Sequence, residues 1–248
     1  MGRVEGKVAL VLGGAGGIGG AIAQRLAENG ARLVLTDRSR AGLDEMVSAL
    51  AKRGVQDVLA LEHDVASERD WQKVMEAVGR AHPRLDVAVN AAGIFSSKGQ
   101  PFDAIPLEEW RRILTVNLEG TFLGTRFAVE AMKQTGGGAI VNIASTAAYL
   151  GTRAGAAYGA SKAGVRALTV QAAVSCAAHG YNIRINSISP GYVLTPTMEA
   201  KMVADFGSRE AGMTVAAGRN PLGRVAVPDD VAWAAVYLAS EEARMINA

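Results

Sequence analysis

The stretch Leu12-Gly-Gly-Ala-Gly-Gly-Ile-Gly-Gly20 places six glycines within nine residues near the start of the chain. An apolar run of strand length, Lys7-Val-Ala-Leu-Val-Leu12, precedes it, and Ile22 and Leu26 share one face of the helical pattern that follows. The pattern predicts a buried strand, a glycine turn and a helix N-terminus. Unpaired backbone N–H groups and the helix dipole make such a turn an anion site, and glycine lets a phosphate approach the backbone.

Two glycine registers in this loop are typical of dinucleotide binding. Gly14-x-Gly16-x-x-Gly19 is the general fingerprint, whereas Gly13-x-x-x-Gly17-x-Gly19 is a variant spacing. Many loops are rich in glycine only because they turn sharply. The loop therefore needs a second signal before it indicates a cofactor.

An acidic residue after the next apolar run supplies that signal. Asp37 ends Leu33-Val-Leu-Thr-Asp37, where a carboxylate can accept hydrogen bonds from an adenosine ribose and would repel a 2′-phosphate. This favours NAD over NADP. Arg38 is the opposing feature, because an arginine here could hold a 2′-phosphate, although the adjacent carboxylate should dominate at close range.

Apolar runs of strand length alternate with helix-period segments along the chain. Strands are predicted at 8–12, 32–36, 58–61, 87–90, 139–143 and 184–188, and helices at 19–29, 40–53, 68–81, 107–134, 157–178 and 229–239. The alternation predicts one α/β domain over residues 1–248, a doubly wound, Rossmann-like parallel sheet with helices on both faces. The stretch 192–218 is rich in Met, Gly and Thr with weak periodicity, and is interpreted as a mobile lid or substrate loop.

Composition excludes several other classes of protein. The 26 basic and 24 acidic side chains form no clustered basic face, so no nucleic-acid partner is expected. Cys176 is the single cysteine, and no apolar run approaches the roughly 18 residues of a membrane span. His63, His82 and His179 lack ligand spacing and are interpreted as surface or loop residues, with no metal site. A soluble cytoplasmic protein is expected.

A candidate acid–base pair lies in Tyr158-Gly-Ala-Ser-Lys162, which opens a predicted helix and places Tyr158 and Lys162 on one face. A neighbouring ammonium favours the phenolate of a tyrosine, so the pair can exchange a proton with an alcohol. Tyr149 and Arg153 have the same spacing but lie in a loop-like segment, which makes their pairing less favourable.

Together these motifs resemble the short-chain dehydrogenase/reductase family, in the group with the Gly-x-x-x-Gly-x-Gly loop. The match extends from about residue 6 to the end. It comprises, in order, Gly13, Gly17 and Gly19; Asp64-Val65; Asn90-Ala-Ala-Gly93; Asn117; Ser145; Tyr158 and Lys162; and Pro190-Gly191 with Thr195.

The resemblance implies a catalytic set of four residues. Tyr158 would exchange the hydroxyl proton, and Lys162 would lower the pKa of Tyr158 and hold the nicotinamide ribose. Ser145 would hydrogen-bond the substrate oxygen, although alone it is equally a capping serine. Asn117 would fix a water in a proton relay from Lys162, and its alternative role is a buried amide that satisfies helix backbone.

The resemblance also implies an NAD site spread over several loops. Its residues are Gly13, Gly16, Gly17, Ile18 and Gly19 in the glycine loop; Asp37 and Arg38 at the adenosine ribose; Asp64 and Val65 at the adenine; Asn90, Ala91 and Gly93 along the cleft; Tyr158 and Lys162; and Pro190, Gly191, Val193 and Thr195, the last two at the carboxamide. Read alone, Asp64 and Val65 are only a strand-end acid and a core residue.

Two departures from the family pattern bear on the loop and on assembly. Leu12 stands where the family usually has a threonine that ties the loop to a neighbouring strand, so a different brace is expected. The sequence ends at Ala248, where the family normally continues into a final edge strand used in oligomer contacts, and restoring such a tail is expected to stabilise a tetramer. The apolar excess of 107–134 and 157–178 suggests a second subunit, and the resemblance implies a homotetramer or dimer.

The predicted reaction is NAD-dependent interconversion of a secondary alcohol, cyclic or steroid-like, and its ketone. A mainly apolar pocket is expected from Ala147, Leu150, Tyr192, Met198, Met202, Phe206 and Met213, with no arginine cluster to clamp a carboxylate. An NADPH-dependent 3-oxoacyl-carrier-protein reductase shares the catalytic set, but Asp37 argues against it. A nucleotide-sensing or scaffolding protein on the same fold is the non-enzyme alternative, and the intact Ser145, Tyr158 and Lys162 argue against it.

Overall fold

The computed structural model describes residues 2–96, 100–152 and 154–248. Within these ranges six strands form one parallel sheet in the order β3-β2-β1-β4-β5-β6. The strands are β1 (Val8–Leu12), β2 (Arg32–Asp37), β3 (Leu59–Glu62), β4 (Val87–Asn90), β5 (Gly138–Ile143) and β6 (Ile183–Ile188). Each predicted strand is present, with ends that differ by no more than a residue, and the doubly wound fold is confirmed.

Helices connect the strands and cover both faces of the sheet. They are α1 (Gly17–Glu28), α2 (Arg40–Ala51), α3 (Glu68–Ala81), α4 (Leu107–Leu114), α5 (Gly120–Met132), α6 (Ala156–Ala178), α7 (Pro196–Phe206), α8 (Arg209–Gly218) and α9 (Pro228–Ala239). The long helix predicted at 107–134 is interrupted by a π-helical turn, Thr115–Glu119, between α4 and α5. Single π-helical turns inside α-helices are rare, and many of them occur at functional sites.

The prediction that 192–218 is a loop without regular secondary structure is wrong, because α7 and α8 occupy most of this stretch. Thr195 and Ser208 cap the two helices, since their hydroxyls accept the N–H groups of Met198 and Ala211 at 3.2 and 3.1 Å. Gly207 ends α7 with a left-handed φ of 82°. The two helices pack against each other rather than on the sheet.

The core consists of two layers, one on each face of the sheet. Along β1, Ala9 and Val11 join the layer that α1, α2 and α9 cover, whereas Val8, Leu10 and Leu12 join the layer that α3, α5 and α6 cover. All five side chains are buried, as expected for a central strand of a parallel sheet. Alternate residues of one short apolar run therefore hold both helical layers.

The strand order reverses beside β1, which pairs with β2 on one side and β4 on the other. The loops that leave these neighbouring strands go to opposite faces and open a crevice at the carboxyl edge of the sheet. Open α/β sheets bind ligands at this reversal. The loops after β1, β4, β5 and β6 carry most of the predicted site residues.

The last residues of the chain lie along β6. The amide of Ile185 donates to Asn247 Oδ1 at 2.9 Å, and the amide of Ala248 donates to the carbonyl of Ile185 at 3.1 Å. Asn186 Nδ2 also donates to the carbonyl of Ile246, at 3.0 Å. The C-terminal residues thus bond to backbone and side-chain groups of the outermost strand described.

Residues 2–96, 100–152 and 154–248 contain neither a membrane-spanning helix nor a cluster of metal-ligand side chains. No helix in these ranges combines the length and the hydropathy needed to cross a bilayer. In the same ranges no three side chains of His, Cys, Asp or Glu lie together in a way that could hold a metal ion.

His63 lies in the loop between β3 and α3, as predicted, but it is not at the surface. His63 follows β3 directly, and its side chain is 1% exposed. The ring lies edge-on to Trp71 with centroids 4.5 Å apart, and Nδ1 is 3.1 Å from Thr36 Oγ1. Only tertiary packing buries this residue, because Trp71 comes from α3 and Thr36 from β2. By contrast, His179 is exposed.

The buried His63 ring predicts acid sensitivity. Burial lowers the pKa of His63 to about 4 from its usual value of 6.5, so between these pH values the unfolded chain binds a proton that the folded chain does not. We expect the free energy of unfolding to fall by up to about 3 kcal/mol as the pH drops from 7 to 4. Urea unfolding followed by circular dichroism at several pH values measures this slope.

The matched variant is His63→Asn, which removes the titrating ring and keeps a polar group near Thr36. The variant should be less stable than wild type at pH 7, but its stability should fall less steeply toward pH 4. Parallel slopes for the two proteins would assign the acid sensitivity to other groups.

Candidate active site

The glycine loop between β1 and α1 is held by backbone contacts. The amides of Gly13 and Gly14 donate to the carbonyl of Thr36 at 2.8 and 3.0 Å, so the end of β2 braces the loop. Leu12 contributes no side-chain bond, because its side chain is buried in the core. The different brace expected from Leu12 is therefore a backbone one.

Close packing explains the glycines at positions 13 and 19. Gly13 has a φ of 73°, and a Cβ there would lie 2.8 Å from the backbone of Ala92. A Cβ at Gly19 would overlap the carbonyl oxygen of Gly13. Gly17 also has a positive φ, of 56°, so the Gly13-x-x-x-Gly17-x-Gly19 register is the one that the backbone conformation requires.

The N-terminus of α1 is open toward the crevice. The N-cap residue is Gly16, so no side chain caps the helix, and a Cβ at this position would meet no atom within 4 Å. The first turn of α1 contains no acidic residue. The side chain of Thr195 lies close to Gly17, 3.6 Å from where a Cβ would be. Unshared N–H groups and a positive helix end, with space above them, fit the pyrophosphate of a dinucleotide. Ile18 packs against the core beneath.

Asp37 joins the glycine loop to the end of β2. Its carboxylate accepts the amide of Ala15 at 3.2 Å and the amide of Ser39 at 3.0 Å. The Arg38 side chain is 72% exposed, and its Nε lies 3.9 Å from Asp64 Oδ2. A carboxylate therefore lies at the rim of the crevice, where an adenosine ribose would sit, and the neighbouring guanidinium is drawn toward Asp64.

Two of the predicted cofactor residues have side chains that are buried in the core. Val65 is buried, and a Cβ at Gly120 would lie 2.8 Å from one of its methyl groups. Val193 is also buried, in an isolated bridge with Ala226. Any contact of these two residues with a cofactor is therefore left to their backbones.

The side chain of Asn90 does not line the crevice, so any contact of Asn90 with a cofactor is left to its backbone. The side chain is buried, and Nδ2 donates to Asn142 Oδ1 at 2.7 Å. Asn142 Nδ2 in turn donates to Thr169 Oγ1 at 2.9 Å, which links β4, β5 and α6. An amide at the end of a fully buried strand is held by other buried polar groups. Ala91 and Gly93 follow β4 at its carboxyl edge, as predicted.

Asn117 clamps the loop after β4 to α6. Its Oδ1 accepts the amide of Ile94 at 2.8 Å, and its Nδ2 donates to the carbonyl of Ile94 at 2.8 Å and to Ser161 Oγ at 3.0 Å. The π-helical turn around Asn117 places this amide at the loop, and the side chain is fully buried. The amide satisfies loop backbone, whereas the sequence-based alternative assigned it to helix backbone.

Lys162 lies in the interior, one turn after Tyr158 on α6. Its Nζ donates to the carbonyl of Ile143, the last residue of β5, at 2.7 Å. A Cβ at Gly93 would lie 3.4 Å from both Lys162 Nζ and Asn117 Oδ1, so the absence of a side chain at position 93 brings the loop close to the ammonium. Burial lowers the pKa of Lys162 to about 8, which still leaves the charge in place at pH 7.

Tyr158 and Ser145 are brought together at the floor of a cleft. Ser145 follows β5 and lines the same cleft as Tyr158, and its hydroxyl accepts the amide of Ala147 at 3.1 Å. Burial raises the pKa of Tyr158, and the neighbouring Ser145 hydroxyl opposes that rise. Lys162 Nζ lies 5.8 Å from the centroid of the Tyr158 ring. In the chain alone the pKa of Tyr158 is therefore raised rather than lowered, because burial outweighs the effect of Ser145.

The rival pair on the preceding loop has a different setting. Tyr149 is exposed, and its ring lies under the guanidinium of Arg166 at 4.8 Å. Arg153 lies outside the described residues. The ring of Tyr149 thus has an exposed arginine beside it, whereas Tyr158 has the buried Lys162.

The loop after β6 closes one side of the crevice. The carbonyl of Pro190 accepts the amide of Thr146 at 2.9 Å, which joins this loop to the turn that Ser145 opens. A Cβ at Gly191 would meet no atom within 4 Å, so this glycine borders open space. Thr195 uses its hydroxyl to cap α7 and faces Gly17.

The cleft above Tyr158 is mostly apolar, as predicted, but its lining differs in detail. Ala147, Tyr192, Met198, Met202 and Phe206 line it as expected. Leu150 is exposed instead, and Met213 lies elsewhere on α8. Lining residues that the sequence analysis missed include Phe95, Lys201 and Asp205. The four-residue spacing of Lys201 and Asp205 was a usable signal, but only for a segment taken as helical.

Comparisons with known proteins agree with this arrangement. A family model described as enoyl-(acyl carrier protein) reductase matches residues 13–248. The NADP-dependent (R)-specific alcohol dehydrogenase of Lentilactobacillus kefiri is 38% identical, over 98% of this chain and 92% of that protein. The 3-beta-hydroxysteroid dehydrogenase of Comamonas testosteroni is also 38% identical, over 99% of this chain and 93% of that protein.

A solved structure is similar at the level of the whole fold. The crystal structure of levodione reductase superposes with a TM-score of 0.93 and 33% identity, and covers 99% of this chain and 95% of that one. The glycine loop, the Tyr158 and Lys162 pair and these similarities lead to the same assignment. The chain belongs to the short-chain dehydrogenase/reductase family.

Proposed function

We propose that this protein interconverts a secondary alcohol, cyclic or steroid-like, and its ketone with NAD(H), and that Tyr158 is the acid–base group. The family and the named relatives make the chain an oxidoreductase of alcohols with a nicotinamide cofactor. The observation that carries the proposal is that Tyr158 and Ser145 line one apolar cleft together, with the buried Lys162 one turn beyond Tyr158 on α6. The loop after β6 lines this cleft with Gly191 and Tyr192 and also brings Thr195 next to Gly17 at the N-terminus of α1.

In this proposal the bound cofactor supplies or accepts the hydride. The chain orients the substrate, because the Ser145 hydroxyl donates to the substrate oxygen beside the Tyr158 phenol. With its pKa raised by burial, Tyr158 is protonated at neutral pH and can donate its proton to a ketone oxygen. In the reverse direction the phenolate accepts the alcohol proton, and the Lys162 ammonium stabilises that phenolate by charge.

The remaining members of the predicted set position this pair. Ile143 and Asn117 hold the ammonium and the adjoining loop, which keeps the charge within reach of Tyr158. A proton relay through Asn117 stays a prediction, as does the cytoplasmic location. Asp37 supports NAD as the preferred cofactor, whereas the exposed Arg38 and the NADP-dependent relative favour NADP as the second candidate.

The role of Tyr158 is tested by Tyr158→Phe, with Tyr149→Phe as the matched control. We expect Tyr158→Phe to lower kcat about 10²- to 10⁴-fold, because the proton donor is lost. NADH binding, followed by fluorescence titration, should change little. Rates come from NADH absorbance with a panel of cyclic and steroid alcohols. Retained turnover in Tyr158→Phe, or an equal loss in Tyr149→Phe, would contradict the assignment.

Cofactor choice is tested at Asp37 with two variants. Asp37→Ser removes the charge and should raise the ratio of kcat/KM for NADP⁺ to that for NAD⁺ by at least about tenfold, because a 2′-phosphate is no longer repelled. Asp37→Asn keeps an oxygen for the amide of Ala15 and separates the effect of charge from that of the loop brace. A wild type that prefers NADP⁺ would overturn the NAD proposal, and Arg38→Met would then show whether Arg38 binds the phosphate.

Assembly as a homotetramer or dimer belongs to the same proposal. Phe122 on α5 and Val170 and Val174 on α6 are exposed on helices that cover the same face of the sheet. Apolar side chains grouped in this way are typical of a subunit interface. We expect Val174→Glu to shift sedimentation toward the monomer at micromolar concentration. Leu222→Glu, at an exposed apolar position after α8, is the control, and equal sedimentation of all three proteins would contradict the proposed interface.

A further inference from the structure

An ion pair lines the cleft above Tyr158. Lys201 and Asp205 are one turn apart on α7, with Lys201 Nζ 3.2 Å from Asp205 Oδ1 and 3.1 Å from Oδ2. The two side chains are only 9% and 14% exposed. Every other ion pair among the described residues has at least one partner that is far more exposed.

Stability does not explain charges at this place. Removing an ammonium and a carboxylate from water is unfavourable, and apolar residues of similar size are often as stable or more stable. The neighbours in the cleft, Met198, Met202 and Phe206, would pack against such residues readily. The pair therefore calls for a reason outside folding, and its position in the cleft suggests contact with a substrate.

The ion pair is connected to the reacting end of the cleft through one aromatic ring. Lys201 Nζ lies 5.7 Å from the centroid of the Phe95 ring. The same ring is edge-on to Tyr158, with centroids 6.1 Å apart. A substrate whose reacting oxygen lies at Tyr158 and Ser145 would thus extend past Phe95 toward the ion pair.

The chemistry of the pair selects one kind of substrate group. An ammonium only donates hydrogen bonds and a carboxylate only accepts them, whereas a hydroxyl does both. A substrate hydroxyl can therefore accept from Lys201 and donate to Asp205 at once. A substrate carboxylate on Lys201 would lie close to the charge of Asp205, and like charges in a cleft shielded from water repel strongly.

On this basis, which rests on the proposed function, we propose that Lys201 and Asp205 together select substrates with a second, neutral hydroxyl at the end remote from the reacting carbon. The substrate class is then a diol with a rigid apolar body between two oxygens, and the apolar cleft walls contact that body. Both residues determine specificity, and neither takes part in the transfer of the proton.

The test compares substrates that differ only in the remote oxygen. Two matched pairs probe two lengths: cyclohexanol with trans-1,4-cyclohexanediol, and bicyclohexyl-4-ol with bicyclohexyl-4,4′-diol. We expect wild type to prefer the diol in at least one pair by about tenfold or more in kcat/KM, after correction for its two equivalent hydroxyls, because a hydrogen bond to a charged group is lost in the mono-ol. The carboxylate analogue, trans-4-hydroxycyclohexanecarboxylate, should show no such preference over cyclohexanol.

The variant Lys201→Met/Asp205→Val removes both charges together, so no unpaired charge is left in the cleft. Within this variant the ratio of diol to mono-ol kcat/KM should fall to about one. The control is Glu199→Gln/Arg209→Gln, which removes an exposed ion pair between α7 and the first residue of α8. This control should keep the wild-type ratio, and thermal unfolding of both variants reports whether α7 remains folded.

The outcomes separate the two proposals. Turnover of mono-ols and diols at equal efficiency in wild type, or a diol preference that survives in Lys201→Met/Asp205→Val, contradicts the role of the ion pair and leaves the proposed function intact. A tenfold preference for the carboxylate analogue contradicts the neutral hydroxyl. If wild type oxidises none of these alcohols with NAD⁺ or NADP⁺, the proposed function fails, and this inference fails with it.

Discussion

Burial of the Lys162 ammonium is the constraint around which the site is arranged. A charge in the interior is tolerated only where hydrogen-bond acceptors surround it, and the carbonyl that ends β5 provides one at 2.7 Å. The loop after β4 reaches the same place because position 93 has no side chain, and the Asn117 amide holds that loop by its backbone. Strand ends, a π-helical turn and a helix therefore converge on one nitrogen atom.

Asp37 combines two tasks that are easily treated as separate. The carboxylate is a candidate partner for a ribose, and it also bonds the amide of Ala15 in the glycine loop. A substitution that alters the choice of cofactor thus also loosens the loop that would carry the pyrophosphate. Losses of overall rate are expected to accompany changes in selectivity at this position, and they have a structural origin.

The sequence predicts those parts of the molecule in which local pattern and tertiary packing agree. Every strand was predicted because short apolar runs bounded by turns have few alternatives in a chain of this kind. The stretch 192–218 was not, because α7 and α8 are short helices that pack on each other rather than on the sheet. The capping residues Thr195 and Ser208 were visible there, but caps alone do not decide a helix.

The candidate site shows the same division. Tyr158, Lys162 and Ser145 were identified from spacing and family resemblance, and the structure brings them together. The burial of His63 and Asn90 could not be read from the sequence, because their partners come from other strands and helices. Neither could the ion pair of Lys201 and Asp205, whose meaning depends on the cleft that its helix borders.

The contact between Gly124 and Asn90 has a consequence far from any reacting atom. A side chain at position 124 would overlap Asn90 Oδ1, so α5 can lie this close to β4 only while that position has none. An alanine there would push the end of β4, and with it the loop that lies against Lys162. A substitution at this buried position of α5 can therefore abolish activity although every chemical group of the site is unchanged.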